Sequence, residues 1–97
     1  MPLTKAQRQH LRTLAMHLQP VIIVGNAGVS EALLKEYEIA LEHHELIKVR
    51  VNAADREARD AMIAALVESA GAELVHRIGH VAAIYRRHPK KPRIKLP

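Results

Sequence analysis

Residues 21–34 read VIIVGNAGVSEALL. Four apolar, β-branched residues, Val21 to Val24, follow a proline and stop at Gly25, which is the pattern of a short buried strand. Gly28 follows three residues later. Ser30 and Glu31 then suit the N-cap and first turn of a helix, where a hydroxyl satisfies a free N–H and an acid faces the positive end of the dipole. The segment is therefore a strand-to-helix passage through G-N-A-G. As an all-apolar strand, Val21–Val24 is expected to be covered on both faces.

Upstream, T-K-A-Q at 4–7 has capping-box spacing, and Leu11, Leu14, Ala15 and Leu18 recur at helical period. The first helix is expected from about Lys5 to Met16. Downstream, Leu33, Tyr37, Ala40, Leu41 and His44 line one face of the second helix. Leu46–Asn52 alternates, with Ile47, Val49 and Val51 on one side and Lys48 and Arg50 on the other. Asp55 caps an alanine-rich third helix ending near Gly71. Strands follow at about Glu73–Ile78 and Val81–Arg87, joined at Gly79-His80. The order α-β-α-β-α-β-β predicts one compact α/β (α+β) domain with a four-stranded mixed sheet. The two β-α-β passages call for parallel pairs and the final hairpin for an antiparallel one. Residues 88–97, with three of the five prolines, are expected to form an extended basic tail.

The 97 residues suffice for a single core, and with only Tyr37 and Tyr85 as aromatics that core must be aliphatic. No apolar run approaches the ~20 residues that cross a bilayer. Without cysteine there is no thiol nucleophile, thiolate metal site or disulfide. A cytoplasmic protein that avoids membranes is expected. Charge is segregated. Residues 1–30 carry Lys5, Arg8 and Arg12 without an acid, residues 31–45 carry five glutamates against Lys35, and from Leu74 onward there are seven bases and no acid. Such a distribution suits a polyanionic partner.

Catalysis finds little support. Ser30 and Ser69 are explained as a helix cap and a helix-surface residue. His43 and His44 point about 100° apart on a helix and do not converge on one metal, and His44 falls on the apolar face as a core histidine. The remaining histidines are scattered, so no catalytic set, metal site, cofactor or small-molecule substrate is expected. G-N-A-G is more promising, because it places glycines beside the free N–H groups of a helix N-terminus. It lacks the G-K-[ST] of a Walker loop and the third glycine of a dinucleotide site. A short clamp on a nucleic-acid backbone remains. Lys5, Arg8 and Arg12 fall in a stripe roughly 60° wide on the first helix. Lys48 and Arg50 form a second basic patch, and Arg86, Arg87 and the tail a third. Stacking of bases on an aromatic sheet is not expected, since the sheet holds only Tyr85.

The segment A-L-E-H-H-E-L-I-K-V-R-V at 40–51, taken with V-I-I-V-G-N-A-G, closely resembles the YhbY family of CRM domains. The likeness extends through K-x-x-R-x-x-L-R-x-L-A in the first helix, D-R-E in the third, I-G-H-V-A-A-I-Y-R at the hairpin and the K-L-P ending. It implies a CRM fold, similar to the C-terminal domain of translation initiation factor three, with an added N-terminal helix. It further implies RNA binding without catalysis, in association with large-subunit ribosomal precursors. The family's loop falls on Gly25, Asn26, Ala27 and Gly28. Its basic surface falls on Lys5, Arg8 and Arg12, with Lys48, Arg50 and Arg86 beside them. Unlike the KH clamp, this loop joins a strand to a helix. His43, His44, Glu45 and Leu46 are expected to close the second helix and set the register of the next strand.

The expectation is thus a monomeric, cytoplasmic RNA-binding domain acting on ribosomal RNA in large-subunit assembly. An adaptor docking through the acidic second helix is the alternative, and a small basic DNA-binding protein a third.

Overall fold

The computed structural model describes residues 2–25 and 27–97. Its elements are α1 (Lys5–Ala15), β1 (Pro20–Val24), α2 (Glu31–His44), β2 (Leu46–Val51), α3 (Arg56–Ala70), β3 (Glu73–Ile78) and β4 (Val81–Tyr85). Each helix begins where the local chemistry directs. Thr4 and Gln7 form a reciprocal capping box, with bonds of 3.1 and 3.0 Å. Ser30 accepts the N–H of Leu33 and Asp55 that of Ala58, while Gly71 closes α3 in the left-handed conformation.

The four strands form one mixed sheet in the order β1-β2-β4-β3. β1 and β2 are parallel, and β4 is antiparallel to both β2 and β3. Only one of the two expected parallel pairs therefore exists. The hairpin strand β4 inserts between β2 and β3, so the crossover through α3 skips a position and its two strands run in the same direction without touching.

One face of the sheet carries α2 and α3. There Tyr37, Leu41, Ile63 and Leu66 close on Ile22, Val24, Ile47, Val49, Val51, Ala82 and Ile84. The Tyr37 hydroxyl donates to the Leu66 carbonyl at 2.7 Å, tying the two helices together. Burial, reinforced by Glu38 and opposed by Arg86, pushes its pKa up to about 12. The opposite face is covered only in part. Leu11 and Ala15 of α1 pack with Leu46, Val75, Ala83 and Tyr85, joined by Leu3, Ile94 and Leu96. β1 lies beyond this cover at the sheet's edge, so Ile23 stays 60% exposed. The expectation of a strand buried on both faces fails because one short helix cannot span four strands.

One further expectation is corrected near the C-terminus of α2. His44 is exposed rather than part of the core and borders a shallow groove with Val21, Ile39 and His43. The extended basic tail is pinned to the domain. Glu45, fully buried, accepts the backbone N–H groups of His88 (2.7 Å), Arg93 (2.6 Å) and Ile94 (2.9 Å). Burial disfavours the Glu45 charge, but these three donors and the nearby Arg93 hold its pKa below the ordinary value. Ile94 and Leu96 then complete the hydrophobic cluster under α1.

Candidate nucleic-acid interface

The loop after β1 is closed by a bond from Gly28 N–H to the Gly25 carbonyl at 3.0 Å. Gly28 has φ +77°, a conformation that excludes most side chains. Gly25 has no such constraint, and a Cβ placed on it would meet no atom within 4 Å among the described residues beyond its chain neighbours. Ala27 is exposed. Asn26, the loop's other candidate contact, lies outside the described residues. The loop root is held by Asn52 N–H donating to the Val24 carbonyl at 2.8 Å. The Asn52 side chain in turn accepts from Arg50 Nε at 3.1 Å, which orients that guanidinium at the loop end of the sheet.

Strand register sets out the neighbouring face. Lys48 pairs with Pro20 and Ala83, and Ala83 with His76; Arg50 pairs with Ile23 and Val81, and Val81 with Ile78. Both rows lie on the α1 face of the sheet: α1 covers Ala83 in the first, and the Arg50 row beyond it is open towards the loop. Arg12 reaches the same region from α1. Burial, and then the charges of Arg12 and Lys48, lower the pKa of His76, so three basic groups converge there. Arg12, Lys48 and Arg50 make no ion pair with a carboxylate among the described residues. The field on this face is uncompensated and favours an anion.

The other predicted contacts divide. Lys5 is exposed in the first turn of α1. Arg8 is half-buried and hydrogen-bonds the Leu74 carbonyl, helping to dock α1 on β3. Arg86 is not brought to the loop. It follows the strand end where Tyr85 pairs with Leu46, roughly 17 Å of strand from Val51. There it binds Glu38 at 2.8 Å, Glu42 at 3.7 Å and the Ala70 carbonyl at 3.2 Å. The C-terminal acids of α2 are correspondingly engaged within the domain: Glu38 and Glu42 face Arg86, Glu42 also meets His88 at 3.2 Å, and Glu45 is buried.

Sequence reasoning missed four residues near this end of the sheet. His76 stood among scattered histidines, and only the register places it in one row with Lys48, Ala83 between them. Arg59 Nη1 lies 3.1 Å from both ring nitrogens of His80. The His80 Nδ1–H reaches the Val51 carbonyl at 3.3 Å. Met62, one turn beyond Arg59, approaches Gly28. D-R-E and I-G-H were visible as motifs, but nothing in one dimension shows that α3 and the hairpin meet beside the glycine loop.

Other chemistries find no constellation. Ser30 caps α2 and Ser69 bonds the Leu66 carbonyl. Among the described residues no three His, Asp or Glu side chains gather as a metal site, and no helix is long and apolar enough to cross a membrane. Tyr85 is 3% exposed and offers no stacking surface.

Comparison with known proteins agrees with this architecture. The chain is 45% identical over 95 residues to a Haemophilus influenzae protein named RNA-binding protein, covering 98% of this chain and 95% of that one. It is 37% identical to YqeI of Bacillus subtilis, named a probable RNA-binding protein, covering 98% and 99%. The solution structure of the hypothetical protein SAV1595 from Staphylococcus aureus superposes with a TM-score of 0.83 at 34% identity, covering 99% of this chain and all of that one. Residues 3–86 match the model of the CRS1 / YhbY (CRM) domain, and the chain belongs to that family.

Proposed function

We propose that this protein binds RNA, using the loop Gly25–Gly28 and the uncompensated cations Arg12, Lys48 and Arg50, with Lys5 extending the basic surface along α1. The carrying observation is the contrast between faces. Arg77 and Arg86 are paired with acids, while, among the described residues, the cations on the open face beside the loop are not. Relatives named as RNA-binding proteins support the same reading. Backbone phosphates would take most of the contacts, so affinity should depend on salt and little on base identity. Gly25 leaves room for a phosphate to approach the backbone, and the N-terminus of α2 adds a favourable dipole.

The resemblance to YhbY proteins makes ribosomal RNA in large-subunit precursors the proposed target. The protein would act there as a cytoplasmic monomer that assists assembly, without cofactor or catalytic step. Sedimentation of cell extract tests this. The protein should travel with large-subunit precursors and leave them after ribonuclease treatment; migration with light fractions throughout would refute the ribosomal target. The adaptor alternative is weakened by the internal pairing of Glu38, Glu42 and Glu45.

A further inference from the structure

The cations of the open sheet face are interleaved with exposed aliphatic side chains. Arg50 sits in one row between Ile23 and Val81, followed by Ile78. Ile23 is 60% and Ile78 70% exposed. This row crosses all four strands, a width of roughly 14 Å. Lys48 and His76 lie in the adjacent row, and Arg12 borders it from α1. Such a surface is poorly matched to double-stranded RNA, which presents phosphates and 2′-hydroxyls while keeping its base faces stacked inside. It matches an unpaired strand, which presents phosphate charge and apolar base faces together.

Resting on the RNA-binding reading above, we propose that the open half of the sheet receives a single-stranded RNA segment. Its bases lie against Ile23, Val81 and Ile78, and its phosphates meet Arg50, Lys48 and Arg12. The strand continues past Ile23 to the loop at Gly25, two residues along β1. Four-stranded RNA-binding sheets of similar width hold two or three bases on aromatic side chains. Here aliphatic contacts replace them, so specificity for the unpaired state comes from buried base area rather than ring stacking.

Fluorescence anisotropy with a labelled unstructured RNA and a duplex RNA of equal length tests this on the full chain. Wild-type protein should prefer the unpaired probe. Replacing both exposed residues, Ile23→Ser with Ile78→Ser, should weaken single-strand binding roughly fivefold to tenfold. Duplex affinity and the salt slope should be unchanged, since no cation is removed. Because a fold effect of the pair could mimic that loss, the Ile23 and Ile78 methyl resonances of wild-type protein provide a second reading. They should shift on adding the unpaired RNA and not the duplex. Unaltered single-strand affinity in the double variant, or equal loss for both probes with unshifted methyls, overturns the proposal but leaves RNA binding through the loop intact. Failure of wild-type protein to bind either RNA overturns both.

Discussion

The buried carboxylate of Glu45 accepts the backbone N–H of Arg93 at 2.6 Å, across 48 residues of chain. With His88 and Ile94 also donating to it, this one side chain converts a basic, proline-rich tail into a strap. The strap delivers Ile94 and Leu96 to the cluster beneath α1. Replacing Glu45 with Gln puts an amide NH₂ where one carboxylate oxygen now accepts an N–H. The expected cost is about 2–3 kcal/mol of stability, measured by urea unfolding. Amide exchange should accelerate selectively at residues 88–94, and unchanged protection there would show that the strap is held by other contacts.

The same carboxylate predicts an acid response. Its pKa is depressed in the folded protein, so its contribution is fully present above the ordinary carboxylate value. That contribution is lost as pH falls through the lower folded value. Stability should hold near neutral pH and fall below about pH 4, with tail protection lost there. The Glu45→Gln variant should show a flatter acid limb. An identical acid limb in both proteins would assign the loss to other carboxylates.

Glu45 also has a positive φ of 62° at the end of α2, a conformation that costs a residue with a Cβ about 1–2 kcal/mol. The carboxylate's hydrogen bonds offset this cost. Comparing Glu45→Ala with Glu45→Gly separates the two effects, since both lose the anchor and only glycine relieves the backbone. The glycine variant should be the more stable by about 1 kcal/mol. Equal stability would mean that this turn relaxes when the tail is freed.

These relationships mark how far the sequence could be read. Caps, helical periods and the alternation of Leu46–Val51 depend on neighbours a few residues apart, and all seven elements were legible from them. The place of β4 between β2 and β3 was not, because it depends on which edge of the sheet the hairpin meets. The role of Glu45 was hidden for the same reason: H-H-E-L predicts a helix end, but its N–H partners lie more than 40 residues away. Among the candidate contacts, Lys48 and Arg50 were legible from strand alternation. That Arg86 turns to Glu38 and Glu42 instead required the packing of α2 against the end of β4.

Arg50 and Arg86 should consequently respond in opposite ways. Arg50→Gln removes an exposed cation whose one side-chain partner among the described residues is Asn52, so stability should change by no more than about 0.5 kcal/mol. The slope of log affinity for RNA against log salt should become shallower by roughly 0.7–0.9. Arg86→Gln leaves Glu38 and the Ala70 carbonyl without their donor and should cost about 1–3 kcal/mol, with the salt slope preserved. A shallower slope for Arg86→Gln, in protein verified as folded, would place this residue in the interface after all.

The two loop glycines separate folding from binding. At Gly28 the added methyl would sit 3.8 Å from Met62 Cε, an ordinary contact, so the cost of Gly28→Ala comes from φ +77°. About 1–2 kcal/mol of stability should be lost. At Gly25 neither constraint applies: φ is not positive and the space around a Cβ is open. Gly25→Ala should therefore be neutral, or stabilising by up to about 1 kcal/mol through the less flexible unfolded chain. If a phosphate approaches the backbone at Gly25, that methyl occupies its path, and RNA affinity should fall severalfold in a protein at least as stable as wild type. Thermal midpoints and RNA titrations of the two variants together decide the matter. Undiminished affinity in Gly25→Ala would mean that the loop turns the chain without gripping RNA, leaving Arg12, Lys48 and Arg50 to carry the contact.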